Sequence, residues 1–133
     1  MKPLRVVAAV IFRNGRVLAA QRRDDRQEGG LWEFPGGKVE QAETDADALT
    51  REILEELGVH ATIRECIGTN RFRYDHGIID LVAYRVDITG TPNQHDHQRL
   101  AWLDQSELGN TRWAPADIPF VEQIMRENWD APR

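Results

Sequence analysis

The sequence has one thiol, few aromatic residues, no long apolar run and no excess of positive charge. Cys66 is the single cysteine in 133 residues, so no internal disulfide is available and a reducing compartment, the cytoplasm, is expected. Its neighbours, IRECIG, read as a strand, which predicts a packed thiol. The longest apolar run, VVAAVIF at residues 6–12, is too short to cross a bilayer and predicts a buried strand. No secretory leader is expected from it, because a cleavage site would fall in AAQRR, past the polar RNGR. The net charge of −5 argues against a binder of nucleic-acid polymers, which needs a basic face. There is no internal repeat and no low-complexity linker, so residues 1–133 are read as one domain, acting as a monomer or homodimer.

Hydrophobic residues make up 41% and charged residues 29%, the balance of an ordinary globular chain. Residues 5–12 and 16–22 read as strands joined by Asn14-Gly15, a hairpin pair that tolerates positive φ. LWEFP is a short strand stopped by Pro35, with Gly36-Gly37 expected to turn the backbone tightly. Thr44, with Asp47, caps a helix whose buried stripe is Ala46, Leu49, Ile53 and Leu57, and Gly58 ends it. Residues 61–68 and 78–86 read as strands joined by the polar segment NRFRYDHG, and LAWL as a short late strand. Asp117 is placed as cap of a last helix that turns Ile118, Val121, Ile124 and Met125 inward. Strands before, between and after helices in one small domain give an α/β class, a mixed sheet covered by helices.

The first helix ends in REILEELG, and Glu52, Glu55 and Glu56 crowd that end. Anions there face the negative end of the helix dipole, and like charges at i+3 and i+4 repel. Arg51 is the one cation in the turn. Residue chemistry leaves two readings open: a solvated charged face, or a site for a hard dication, Mg2+ or Mn2+, held jointly with substrate phosphates. Arg22, Arg23, Arg26 and Lys38 also gather in sequence, as a solvated loop or as cations for an anionic substrate.

Gly37, Glu43 and then Arg51-Glu52-Ile53-Leu54-Glu55-Glu56-Leu57-Gly58-Val59 meet every fixed position of G-x5-E-x7-R-E-U-x-E-E-x-G-U, where U is aliphatic. The segment 37–59 thus resembles the box of the Nudix hydrolases. EFPGGKVE, the QRR after the second strand, LAWL and APADIP extend the likeness to MutT-type nucleoside triphosphate pyrophosphohydrolases.

The resemblance implies an α/β/α sandwich, a bound Mg2+ or Mn2+, and hydrolysis of a nucleoside triphosphate to monophosphate and pyrophosphate by attack at the β-phosphorus. It implies Glu52, Glu56, the Gly36 carbonyl and, more variably, Glu55 as metal ligands. Arg51 is implied to orient the helix carboxylates and Glu43 to support the box. Glu52 is the first choice for the proton-accepting base, with Glu55 and Asp96 behind it.

Asp96, in HDHQ, stands where similar enzymes place a glutamate, one methylene longer, as a further metal ligand. The flanking His95 and His97 also suit zinc, but loop histidines are read here as solvated. Arg23 and Lys38 are candidates for phosphate, and Glu33, Phe34, Tyr74 and Asp117 for the nucleoside, with Phe72 a further stacking candidate. Asp117 takes the place of an asparagine in MutT. Ionised, it would favour an exocyclic amine and so cytosine nucleotides such as 5-methyl-dCTP; protonated, it would read oxidised purines of the 8-oxo-dGTP type. Its competing role is the helix cap. Other readings of the likeness are a hydrolase of ADP-sugars or dinucleoside polyphosphates, and a noncatalytic nucleotide-binding domain. Residues 61–90 contain no proline, which ADP-ribose hydrolases of the family are expected to carry, and no box carboxylate is missing.

Overall fold

The computed structural model describes residues 2–127. Its first strand, β1 (Leu4–Val10), runs through the middle of the molecule. It lies parallel to β7 (Gly77–Ile88) and antiparallel to β5 (Gly36–Lys38), and β6 (Ala61–Tyr74) completes a mixed sheet of order β5-β1-β7-β6. Around β3 (Arg16–Gln21) a second, antiparallel sheet collects β2 (Phe12–Arg13), β4 (Trp32–Glu33) and β8 (Arg99–Leu103).

The long apolar run at 6–12 follows from burial of both faces. Val7, Ala9 and Ile11 enter the core under α1 (Asp45–Leu57), with Leu49, Ile53 and Leu57. Ala8 and Val10 enter the opposite core, with Phe120, Val121 and Ile124 of α2 (Ile118–Met125). The two cores and the sheet between them make the expected sandwich. No helix among the described residues is long and apolar enough to cross a membrane.

Local chemistry sets most of the boundaries as expected. Asn14 and Gly15 both have positive φ at the hairpin. Thr44 and Asp47 form a reciprocal capping box, and Gly58, left-handed at φ 69°, donates its N–H to Leu54 O at 3.0 Å. Asp45 in the first turn accepts a bidentate pair from Arg5, both at 2.7 Å, and the Tyr84 hydroxyl at 2.6 Å. At the far end, Asn93 N–H donates to Leu57 O and His95 N–H to Glu56 O, at 2.9 and 3.0 Å. The carbonyls that every helix end leaves unpaired are thus supplied by loop 91–98.

Five expectations are corrected. NRFRYDHG is mostly strand and not a connecting loop: β6 continues to Tyr74, because residues 70–74 pair in unbroken register with β7 and turn Arg71 and Arg73 outward, which leaves only Asp75-His76 as the turn. Gly36-Gly37 makes no turn and lies within β5. A Cβ at Gly36 would stand 1.9 Å from Val7 O, so the absence of a side chain, not a special φ, is what the packing needs. Cys66 is exposed, since the register with β7 shifts on both sides of it and the bulge turns the thiol out. Ala46 shares the stripe's helical angle but sits in the uncovered first turn and is exposed, with Ala48 buried instead. Asp117 makes no side-chain cap; a 3-10 turn, Pro115–Asp117, leads into α2 and shifts its phase. Phe120, Val121 and Ile124 are therefore the buried face, while Ile118 and Met125 are exposed.

Candidate active site

A cavity of about 680 Å3 opens between α1, β5, the tip of the β6–β7 hairpin and residues 114–117. Gly36, Glu52, Glu56, Asp96, Arg23, Glu33, Phe34, Lys38, Tyr74 and Asp117 all line it. Glu43, Arg51 and Glu55 do not. Phe72 also stays outside, packing its ring 4.7 Å from that of Tyr74.

The acidic wall comes from α1 and β5. Glu56 lies within the apolar stripe, not beside it, and is only 8% exposed. Gly36 donates a backbone hydrogen bond to its carboxylate, yet its Oε2 is buried with no partner. Burial first, then the charges of Glu52, Glu33 and Asp96, push its pKa up to about 9. Glu52 packs so closely on β5 that a Cβ on Gly37 would stand 2.4 Å from its carboxyl carbon. Arg51 gathers the rest from outside the cavity. It bonds Glu43 twice, at 2.8 and 2.9 Å, Glu52 Oε1 at 2.8 Å, Glu55 Oε2 at 3.4 Å and the Lys38 carbonyl at 3.1 Å. Glu43 is held down at about 2, chiefly by that guanidinium. Glu55 stays 60% exposed.

The opposite wall comes from β4, loop 91–98 and residues 114–117. Trp32 N–H donates to Arg112 O and Ala114 N–H to Trp32 O, which docks the segment before Asp117 beside β4. Ala116 N–H donates to the Tyr74 hydroxyl at 3.0 Å, and Asn70 Nδ2 to Ala116 O at 3.0 Å. Asp117 is thereby sunk to 5% exposure, with its Oδ2 accepting from Phe34 N–H at 3.0 Å. Burial above all, then the Glu33 charge, raises its pKa well above the ordinary aspartate value, which favours the neutral form. Glu33 accepts from Arg22 Nη1 at 3.2 Å and from His97 Nε2 at 2.8 Å. Phe34 is almost wholly buried, its ring 5.0 Å from Trp113, so its stacking face is spent on the core. The Tyr74 ring is stacked on His76, which also lines the cavity.

A NUDIX domain match spans residues 2–124. The chain belongs to the Nudix family. CTP pyrophosphohydrolase of Escherichia coli is 45% identical over 126 residues, covering 94% of this chain and 93% of that one. The 8-oxo-dGTP diphosphatase of Haemophilus influenzae is 34% identical over 124 residues, covering 91% of each. The solution structure of the E. coli ORF135 protein superposes with a TM-score of 0.84 at 45% identity, over 94% of this chain and 90% of that one. The protein is accordingly a Nudix hydrolase with pyrophosphohydrolase relatives.

The Nudix helix fits a hard dication. Among the described residues no three acidic, histidine or cysteine side chains already converge on one point. The chemistry is nevertheless that of a cation site: a buried, partnerless carboxylate oxygen on Glu56, a second carboxylate on Glu52, and further negative charge from Glu33 and Asp96. Any of these oxygens suits Mg2+ or Mn2+. Asp96 is 61% exposed, its nearest cation Arg26 at 3.8 Å. His97, expected to be solvated, is 6% exposed. His76 is not foreseen as a site residue, and Arg22 and His97 enter the sequence reading only as a possible substrate cation and as a solvated loop histidine. QRR and HDHQ carried the signal for two of them, but a hydrogen bond to Glu33 across the fold is invisible in sequence spacing.

Proposed function

We propose that this Nudix hydrolase splits a nucleoside or deoxynucleoside triphosphate into the monophosphate and pyrophosphate, with Mg2+ or Mn2+ held by Glu52 and Glu56. One observation carries the reading: the partnerless buried oxygen of Glu56 shares a cavity with Glu52, Arg23, Arg26 and Lys38. Bound there, the metal would neutralise phosphate charge and acidify a water.

The chain's own groups do the rest. Glu52 Oε1 is taken by Arg51, which leaves Oε2 to accept the proton of the attacking water. Glu55 faces away from the cavity and drops behind Asp96 as the alternative base. Arg51 and Glu43 fix the orientation of Glu52 from outside, so positioning and charge provide most of the catalysis. Arg23 and Lys38 would meet phosphate oxygens as exposed cations.

At the base, Asp117 in the neutral form that burial favours would donate, and Glu33 would accept. Cytosine presents a ring nitrogen that accepts beside an amine that donates, so the pair fits it. The same pair fits the O6 and N1–H of an oxidised guanine, the second reading, favoured by the name of the H. influenzae relative. Either substrate makes the enzyme a sanitiser of nucleotide pools in the cytoplasm, where a lone free thiol is at home.

A panel of CTP, 5-methyl-dCTP, 8-oxo-dGTP, ADP-ribose and a dinucleoside polyphosphate, with Mg2+ and with chelator, tests it. Pyrophosphate and phosphate release are followed separately. Metal-dependent pyrophosphate release from a triphosphate is expected. Turnover of ADP-ribose alone, or equal turnover in chelator, would overturn it.

A further inference from the structure

His97 lines the cavity next to Asp96 in sequence and bonded to Glu33 in space. Its imidazole is 6% exposed, and Nε2 donates to Glu33 Oε2 at 2.8 Å, shorter than the 3.2 Å contact from Arg22. Nδ1 is buried with no partner. The residue before it, Asp96, lines the same cavity, and its charge acts on Glu56 across it. The loop that carries both is fixed at one end to α1, through Asn93 N–H on Leu57 O, His95 N–H on Glu56 O and His95 Nδ1 on Glu55 O at 2.8 Å. At the other end Gln98 N–H donates to Gln21 O at 3.0 Å.

Packing alone does not account for this imidazole. An apolar side chain would fill the same space without leaving a buried nitrogen unpaired, which costs stability. Nor does Glu33 need it for charge, because Arg22 already supplies a cation. What His97 adds is direction. It pins the Glu33 carboxylate from the loop side, and the bond in turn pins the loop on which Asp96 sits.

We propose that His97 is a positioning residue that couples nucleobase recognition to placement of the loop acid: Glu33 is aimed by His97, and Asp96 is held by the same anchor. A base that donates to Glu33 acts on the bond that holds the neighbour of Asp96. The inference rests on the reading of the cavity as a nucleotide site.

The test compares wild type, His97→Ala, His97→Gln, Glu33→Ala and the His97→Ala/Glu33→Ala double variant. The first readout is the ratio of kcat/KM for CTP against 8-oxo-dGTP with Mg2+. His97→Ala is expected to change the ratio by about tenfold, together with a fall in kcat for both substrates. His97→Gln, which keeps an N–H donor, restores the ratio to within about threefold of wild type. On the Glu33→Ala background, His97→Ala shifts the ratio by less than about twofold, because the residue acts through Glu33. The second readout needs no activity: amide hydrogen exchange at Asn93 and His95 quickens in His97→Ala and in Glu33→Ala.

A ratio unmoved by His97→Ala, or moved equally on both backgrounds, overturns the proposal. So does unchanged amide exchange. If wild type cleaves no triphosphate, the nucleotide reading itself fails and the coupling falls with it. If wild type cleaves and only the variants disagree, the coupling alone is lost.

Discussion

Replacing Glu56 with glutamine conserves shape and removes a titratable group from a buried position. In metal-free protein the carboxyl titrates at about 9 against an ordinary 4.5. The folded state therefore holds a proton that the unfolded state releases, so stability falls as pH rises between those two values. At about pH 7.5 the side chain has crossed roughly three units of that window, a ceiling of about 4 kcal/mol, of which relaxation leaves about 2–4. Glutamine does not titrate. In chelator, Glu56→Gln is expected to melt about 6–15 °C above wild type near pH 8, the two converging near pH 4. Added Mg2+ should raise the melting temperature of wild type but not of the variant. Turnover of the preferred triphosphate should fall at least about a hundredfold, since a ligand of the metal that neutralises the transition state is lost. Parallel melting curves across pH, or a variant with wild-type turnover, would refute the reasoning.

Three further outcomes follow from the same geometry. Gly37→Ala places a methyl where the Glu52 carboxyl now sits, 2.4 Å away, and should lower kcat by about tenfold or more while KM changes little, read by steady-state kinetics. Glu43 is held at about 2 by Arg51, so the stability this pair provides is present above about pH 4.5 and lost as pH falls toward 2. Arg51→Ala should flatten that part of the urea-midpoint profile and reduce turnover. Asp117→Asn keeps both a donor and the acceptor for Phe34 N–H, so its unfolding free energy should stay within about 1 kcal/mol of wild type and its base preference should barely move. Asp117→Ala strands that N–H and should cost about 1–3 kcal/mol and most of the discrimination.

What sequence revealed divides along a physical line. The helix caps, the Asn14-Gly15 hairpin and the box carboxylates were legible, because each depends on residues a few positions apart. Glu52 and Glu56 could be paired from helical spacing, but that Glu56 lies buried depended on β5 packing across it. The Gly36-Gly37 pair was read as a turn, since sequence shows the lost side chain and not the Val7 carbonyl that forbids one. Cys66 was expected inside because a bulge is a property of the paired strand. Glu55 satisfied the motif and still faces outward beside Arg51. His97 looked like a solvated loop residue, and only its bond to Glu33, sixty-four positions away, places it at the cavity.

The outward turn of Cys66 gives this protein a natural point of attachment. It is the sole thiol, it is accessible, and it is not part of the cavity wall. A maleimide dye or surface linker will therefore couple at a single address without competition. Fluorescent reporters of nucleotide arrival can be built on the wild-type sequence, with no engineered cysteine and no native one to remove.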